Sequence, residues 1–244
     1  MKNQEIEALA NAYWVDVPTP SNYPRNLEHS VCWGHAVTVL TLADLKLSAV
    51  HSWLADHGIL RDSVRRDRPL RACLAAINGQ GFIFLNGTDP EDQRRFSLAH
   101  EIAHFILEYE LPRKRAIAFF GDSIIEVLDG DRQPTVEERL AGSLRSVTLG
   151  NFDHLMDRDA DGVARSIRII EAEDNADRLA LELLAPRKEV MLKLKSHRKN
   201  STLQEIADVL IKSYGLPNDI ALQYARVLSA KQVQQRSFRD WIGK

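Results

Sequence analysis

Three residues in this sequence have the types and the spacing to hold and use a metal ion: His100, Glu101 and His104. In a helix, side chains four apart share one face, separated by roughly 6 Å of axial rise. Both imidazoles can then reach a single zinc ion at about 2.1 Å. The carboxylate of Glu101 would stand beside that ion, placed to take a proton from a water whose pKa the metal has lowered. The H-E-x-x-H pattern thus points to hydrolysis. The plainer reading is a pair of surface histidines on an amphipathic helix. The neighbours Ala99, Ile102, Ala103, Phe105 and Ile106 argue against it, because they make this helix a buried one. Buried imidazoles and carboxylates need partners, and a metal supplies them.

A catalytic zinc needs a third protein ligand and an open position for water. Glu173 is the candidate. It stands four residues before Asp177 on a second apolar-periodic segment, and their shared face runs on through Ala176, Ala180 and Leu184, as if into the protein. Glu173 is expected to coordinate the metal, and Asp177 to accept a hydrogen bond from a liganding histidine and so fix its tautomer. Glu171 and Asp174 read as solvated acids at a helix N-terminus. His154 stands as the alternative third ligand. The oxyanion of a tetrahedral intermediate needs a further donor, for which Tyr109, His154 and His197 are candidates.

These residues must be positioned by the elements around them. Apolar Arg71–Ile77, the turn dipeptide Asn78-Gly79 and the return from Gly81 to Leu85 predict a hairpin leading into the metal-binding segment. Asp89 is expected to cap a helix with Pro90 in its first turn, running to about Glu110 and ending before Leu111-Pro112. The second strong helix is expected from about Glu171 to Ala185, stopped by Pro186. Upstream, residues 4–14 read as a short helix, and Pro18, Pro20 and Pro24 punctuate an extended connector. Thr41 is expected to cap a helix through Ala43, Leu45, Val50 and Leu54, with Gly58 as its stop. Between the two strong helices, a helix should follow Pro134-Thr135 and a turn is expected at Asp161-Gly162. Near the end, Thr202 and Glu205 form a capping-box pattern and Gly215 a stop, and a further helix runs from Asn218 through Leu228.

With 244 residues, 44% hydrophobic and 27% charged, the chain has an ordinary globular composition. A net charge of −2 gives no electrostatic argument for nucleic-acid binding. Arg61, Arg65, Arg66, Arg68 and Arg71 are interleaved with Asp62 and Asp67 and read as a solvated face. The helices of residues 202–230 read as a packing hairpin in preference to a DNA reader. Asp157–Gly162 imitates the start of a calcium loop, but Arg168 stands where the bidentate glutamate belongs. Cys32 and Cys73 read as buried, reduced thiols of a cytoplasmic protein. The N-terminus lacks the apolar run of a signal peptide, and no stretch reaches the ~18 apolar residues that would span a membrane.

The segment Arg95–Phe105 resembles the active-site helix of the ImmA/IrrE family of bacterial metallopeptidases. Glu173–Pro186 resembles that family's second motif, E-x-x-A-[ND] followed by a helix stopped at L-L-x-P. The resemblance implies zinc held by His100, His104 and Glu173, with Glu101 as general base. It covers roughly residues 70–110 and 171–230. The second motif lies 69 residues beyond His104, farther than in compact members. The implied fold is a mixed α+β, zincin-like domain, a small twisted sheet packed on the H-E-x-x-H helix with further helices at both ends. Its expected division is an N-terminal helical region (1–66), a peptidase domain (67–197, with an insertion at about 112–170) and a C-terminal helical region (198–244). By the same resemblance the substrate is a specific protein such as a helix-turn-helix transcriptional repressor. A zinc-binding regulatory or toxin–antitoxin-type protein that acts by docking is the rival reading.

Overall fold

The computed structural model describes residues 1–15, 17, 22–58, 67–144, 167–197 and 201–242. Two helices, α1 (Asn3–Val15) and α2 (Leu27–Gly34), precede strand β1 (Val37–Leu42) and helix α3 (Leu47–Asp56). The hairpin β2 (Ala72–Ile77) and β3 (Gln80–Asn86) leads to α4 (Glu91–His104). Beyond it come α5 (Leu111–Phe120), the single turn α6 (Ile125–Leu128) and α7 (Val136–Leu144). The chain is described again in α8 (Ile167–Leu184), α9 (Arg187–His197), α10 (Leu203–Tyr214) and α11 (Asn218–Ile242). The class is mixed α+β, mostly helical around one three-stranded sheet. Among the described residues no helix is long and apolar enough to cross a membrane.

The hairpin forms as its turn chemistry dictates. Asn78 and Gly79 both have positive φ, +51° and +80°, and Ile77 pairs with Gln80 across them. The strand order is β1-β3-β2, with β1 parallel to β3. The run Val37–Leu42, to which the sequence pattern assigned no element, is a strand, and Thr41, expected to cap the following helix, lies inside that strand. Its β-branched residues suit a sheet, and its partner β3 lies some forty residues on, beyond the reach of local periodicity. The helix begins later, at Leu47. It packs on one face of the sheet, where Leu45, Val50, Leu54, Ala75 and Phe84 form a small core. The opposite face packs on α4.

Two boundaries differ from expectation around α4. Its first residue is Glu91 after Pro90, and no side chain caps it, so Asp89 is not the cap. Nor does the helical run end before Leu111-Pro112. It widens into a π-helical turn over Phe105–Glu110 and continues as α5, with the proline at the start of α5, where its missing N–H leaves little unmet. Helices α2 and α9 were not foreseen either. Thr135 and Glu138 cap the start of α7 reciprocally, with Glu138 N 3.1 Å from Thr135 Oγ1 and Thr135 N 2.7 Å from a Glu138 carboxylate oxygen. The capping box of Thr202 and Glu205 and the left-handed stop at Gly215 also form. The turn expected at Asp161-Gly162 and the calcium-like loop lie outside the described residues.

One large core holds the site elements together. It joins Ile6 and Tyr13 of α1, Ile83 and Leu85 of β3, Ala99 and Ala103 of α4, Ala176 and Ala180 of α8, and Leu210 and Ala225 of the last two helices. The buried residues of α10 and of the first part of α11, Leu210 and Ala225 among them, therefore lie in this core. The C-terminal end of α8 is tied down from both directions along the chain. Arg25, buried between the rings of Trp14 and Tyr23, donates to Leu183 O at 2.8 Å, and Tyr224 Oη donates to Ala185 O at 3.3 Å.

On β3, Gly81 is required by close approach. A Cβ there would sit 2.8 Å from the ring of Phe105, which is itself fully buried behind the start of the π-turn. Gly81→Ala is therefore expected to cost about 1–3 kcal/mol by overpacking. A lowered urea midpoint with an unchanged m-value would show this, and an unchanged midpoint would contradict it.

Candidate metal centre

Helix α4 presents His100 and His104 on one face, where small residues let α8 lie close. Ala99 and Ala103 of α4, and Ala176 and Ala180 of α8, have no exposed surface. With this contact made, Glu173 and Asp177 arrive beside the histidines. His100 Nε2 and His104 Nε2 are 3.0 Å apart. Glu173 places one carboxylate oxygen 3.4 Å from His100 Nε2 and the other 3.8 Å from His104 Nε2. His100 Nδ1 is 2.8 Å from Asp177 Oδ1, and His104 Nδ1 is 3.2 Å from Glu108 Oε1. Glu101 is 4% exposed and lines the same cleft.

The fit of a metal can be judged from this triangle. Four donors about a zinc at ~2.1 Å in tetrahedral array lie roughly 3.4 Å from one another. The nitrogen pair at 3.0 Å and the contacts of Glu173, Oε2 to His100 at 3.4 Å and Oε1 to His104 at 3.8 Å, lie near that value, and one donor atom from each residue falls within 4.8 Å of the others. Two imidazole nitrogens 3.0 Å apart also repel unless a proton or a cation lies between them. Among the described residues His100, His104 and Glu173 form a group able to hold a metal ion. Asp177 meets His100 on the nitrogen turned away from that triangle. Glu108 stands in the same relation to His104 and was not foreseen, although its i,i+4 spacing is legible in the sequence.

The other candidates fall differently. Tyr109 does not line the cleft. Its hydroxyl accepts a 2.6 Å hydrogen bond from Gly79 N and so fastens the hairpin turn to the π-turn, which corrects the expectation of an oxyanion donor. His154 lies outside the described residues, as does the side chain of His197. Cys73 is only partly buried and lines the cleft, so it is not the buried thiol expected; the side chain of Cys32 is outside the described set. His51, Arg68 and Asp219 also line the cleft, and no sequence spacing could have brought them there.

The cleft, about 630 Å³, runs past the open edge of β2. Asn86 N donates to Arg71 O at 2.9 Å, which fixes the alternation of the antiparallel ladder. Residues 73, 75 and 77 then bond to β3, while the N–H and C=O of Ala72, Leu74 and Ala76 point away from it, toward the outer edge, where Leu74 and Ala76 are buried and Ala72 is partly exposed. Ala72 and Leu74 lie in the cleft wall.

A two-histidine, one-glutamate triangle on a pair of helices, with a buried carboxylate beside it, defines a candidate mononuclear metal site of hydrolytic type. Residues 59–126 match the peptidase family model described as the IrrE N-terminal-like domain, the family that the two motifs resemble. The match takes in the hairpin and His100, Glu101 and His104, and ends before α8. Over residues 59–126 the chain is therefore similar to a metallopeptidase family. No curated protein matches the chain.

Burial by itself would lower the pKa of His100. Hydrogen bonds to Asp177 and Glu173 and the charge of Glu101 outweigh it and push the value up to about 10. In the metal-free protein His100 thus carries a proton at neutral pH that a metal must displace. Apparent zinc affinity is expected to rise by about tenfold per pH unit between pH 6.5 and 8.5, since the proton is lost only as pH approaches the folded value. Chelator-competition titrations across that range test this, and a flat profile would contradict it.

Proposed function

We propose that this protein is a zinc-dependent endopeptidase built on a zincin-like domain. The observation that carries the reading is the triangle of His100, His104 and Glu173 beside a buried Glu101, in a cleft bordered by the open edge of β2. The donor set, two nitrogens and one carboxylate, suits zinc. When bound, the metal supplies Lewis acidity, which polarises the scissile carbonyl and acidifies the attacking water.

The chain's own residues do the rest. Ala72, partly exposed in the cleft wall at the end of β2, offers main-chain donors and acceptors to an extended segment, whose peptide bond is held beside α4. Glu101 takes the proton from the water as the new C–O bond forms, then delivers it to the amine nitrogen as the C–N bond breaks. Burial of Glu101 keeps bulk water from competing for that proton. Asp177 holds the ring of His100 in orientation from α8. His51 and Arg68 line the same cleft and are the side chains proposed to meet negative charge on the carbonyl oxygen.

A narrow protein substrate, a helix-turn-helix repressor in a bacterial cytoplasm by the resemblance, is the second part of the proposal. A cleft of this size favours one extended segment over general digestion. The proposal includes no nucleic-acid or membrane contact.

Metal content of purified wild type, His104→Ala and Glu173→Ala is the first test: about one zinc per chain, lost in both variants, is expected. Glu101→Gln should keep its zinc and lose activity on a cleaved peptide by about 10²–10⁴-fold. Full biological activity in Glu101→Gln would favour the docking protein instead.

A further inference from the structure

Both ring nitrogens of His104 meet neighbours. Nε2 faces the triangle, 3.0 Å from His100 Nε2 and 3.8 Å from Glu173 Oε1. Nδ1 lies 3.2 Å from Glu108 Oε1. The imidazole is 1% exposed and the carboxylate side chain 20%, so the pair lies largely out of the water that would screen it. A neutral imidazole gives a metal its Nε2 lone pair only when its proton sits on Nδ1, and inside the protein that proton needs an acceptor.

The backbone around Glu108 explains how it comes to be there. In the widened turn of Phe105–Glu110, three successive side chains leave in different directions. Glu108 turns to His104, Tyr109 to Gly79 N, and Glu110 to His35 Nδ1 at 3.1 Å. The last two bonds anchor the turn to the hairpin and to the residue following α2. The position of Glu108 is therefore fixed by tertiary contacts on either side of it in sequence, unlike an exposed pair at the same spacing.

We propose that Glu108 is a positioning residue of the metal centre, accepting the Nδ1 proton of His104, holding the ring in the tautomer that turns Nε2 toward His100 and Glu173, and thereby raising zinc affinity. This rests on the reading of His100, His104 and Glu173 as the metal site. Glu108 and Asp177 then form a matched pair, one behind each histidine. They differ in origin. Asp177 comes from α8 and its side chain is 53% exposed, whereas Glu108 follows His104 in one continuous helical run. The histidine with the less exposed carboxylate is thus oriented by its own helix, before α8 contributes its ligand.

The test is zinc affinity of the full chain by chelator competition at one pH, for wild type, Glu108→Ala and Glu108→Gln, with the visible spectrum of the cobalt-loaded proteins as second readout. Glu108→Ala removes the acceptor and should weaken zinc binding by about 10–100-fold, with shifted cobalt bands. Glu108→Gln keeps a carbonyl acceptor without the charge and should lose about tenfold. If Glu108→Ala does not fold in the metal-free state, as judged by circular dichroism, Glu108→Gln carries the comparison. Affinity within twofold of wild type in a folded variant, with an unaltered cobalt spectrum, overturns the role of Glu108 and leaves the metal centre standing. No zinc on the wild-type protein overturns both.

Discussion

Everything at the candidate site depends on how closely α8 lies against α4. The two histidines are a local product of helical spacing, but Glu173 belongs to another helix 69 residues further on. It stands within 3.4–3.8 Å of their ring nitrogens because α8 packs on α4, with Ala99, Ala103, Ala176 and Ala180 all buried in the core the two helices share. A side chain of leucine size at any of these alanines would have to be accommodated by movement of the elements around it, and a metal bond tolerates only tenths of an ångström. Much of the remaining structure reads as support for that contact. The connector through Arg25 and the last helix through Tyr224 both bind carbonyls at the end of α8, and α1 lies along its flank.

The second constraint is electrostatic. Glu101, Glu108, Glu173 and Asp177 crowd around two imidazoles, an excess of negative charge in a part of the molecule that is largely shielded from water. Such a cluster is satisfied by protons or by a cation. The protein takes the first course at His100, whose raised pKa reflects the acids around it, and the donor geometry offers the second. Asp177 and Glu108 stand behind the rings, each against the Nδ1 of one histidine, and not in the triangle.

The sheet contributes an edge and a wall. With β3 central, one side of β3 is taken by β1 and the other by β2, whose far edge opens on the cleft. The two faces of this small sheet are covered by α3 and α4. Tyr109 holds the hairpin turn to the helical run that carries the histidines, and so sets the height of that edge relative to Glu101.

Local rules account for what the sequence by itself determined. The positive-φ turn at Asn78-Gly79, the capping box at Thr202, the stop at Gly215 and the shared face of His100 and His104 follow from residues within a few positions of one another. So does the shared face of Glu173 and Asp177 on α8. What the sequence left open needed distant partners. Val37–Leu42 became a strand because β3 was there to pair with it, and Pro112 was carried inside a helical run because the π-turn before it accommodated the ring. Tyr109 resembled an oxyanion donor until its hydroxyl was found on Gly79 N. The tertiary structure alone decided that the Glu173 face meets the histidine face, that Glu108 stands behind His104, and that His51 and Arg68 share their cleft. Spacing fixes which side of an element a residue lies on; only packing fixes what that side touches.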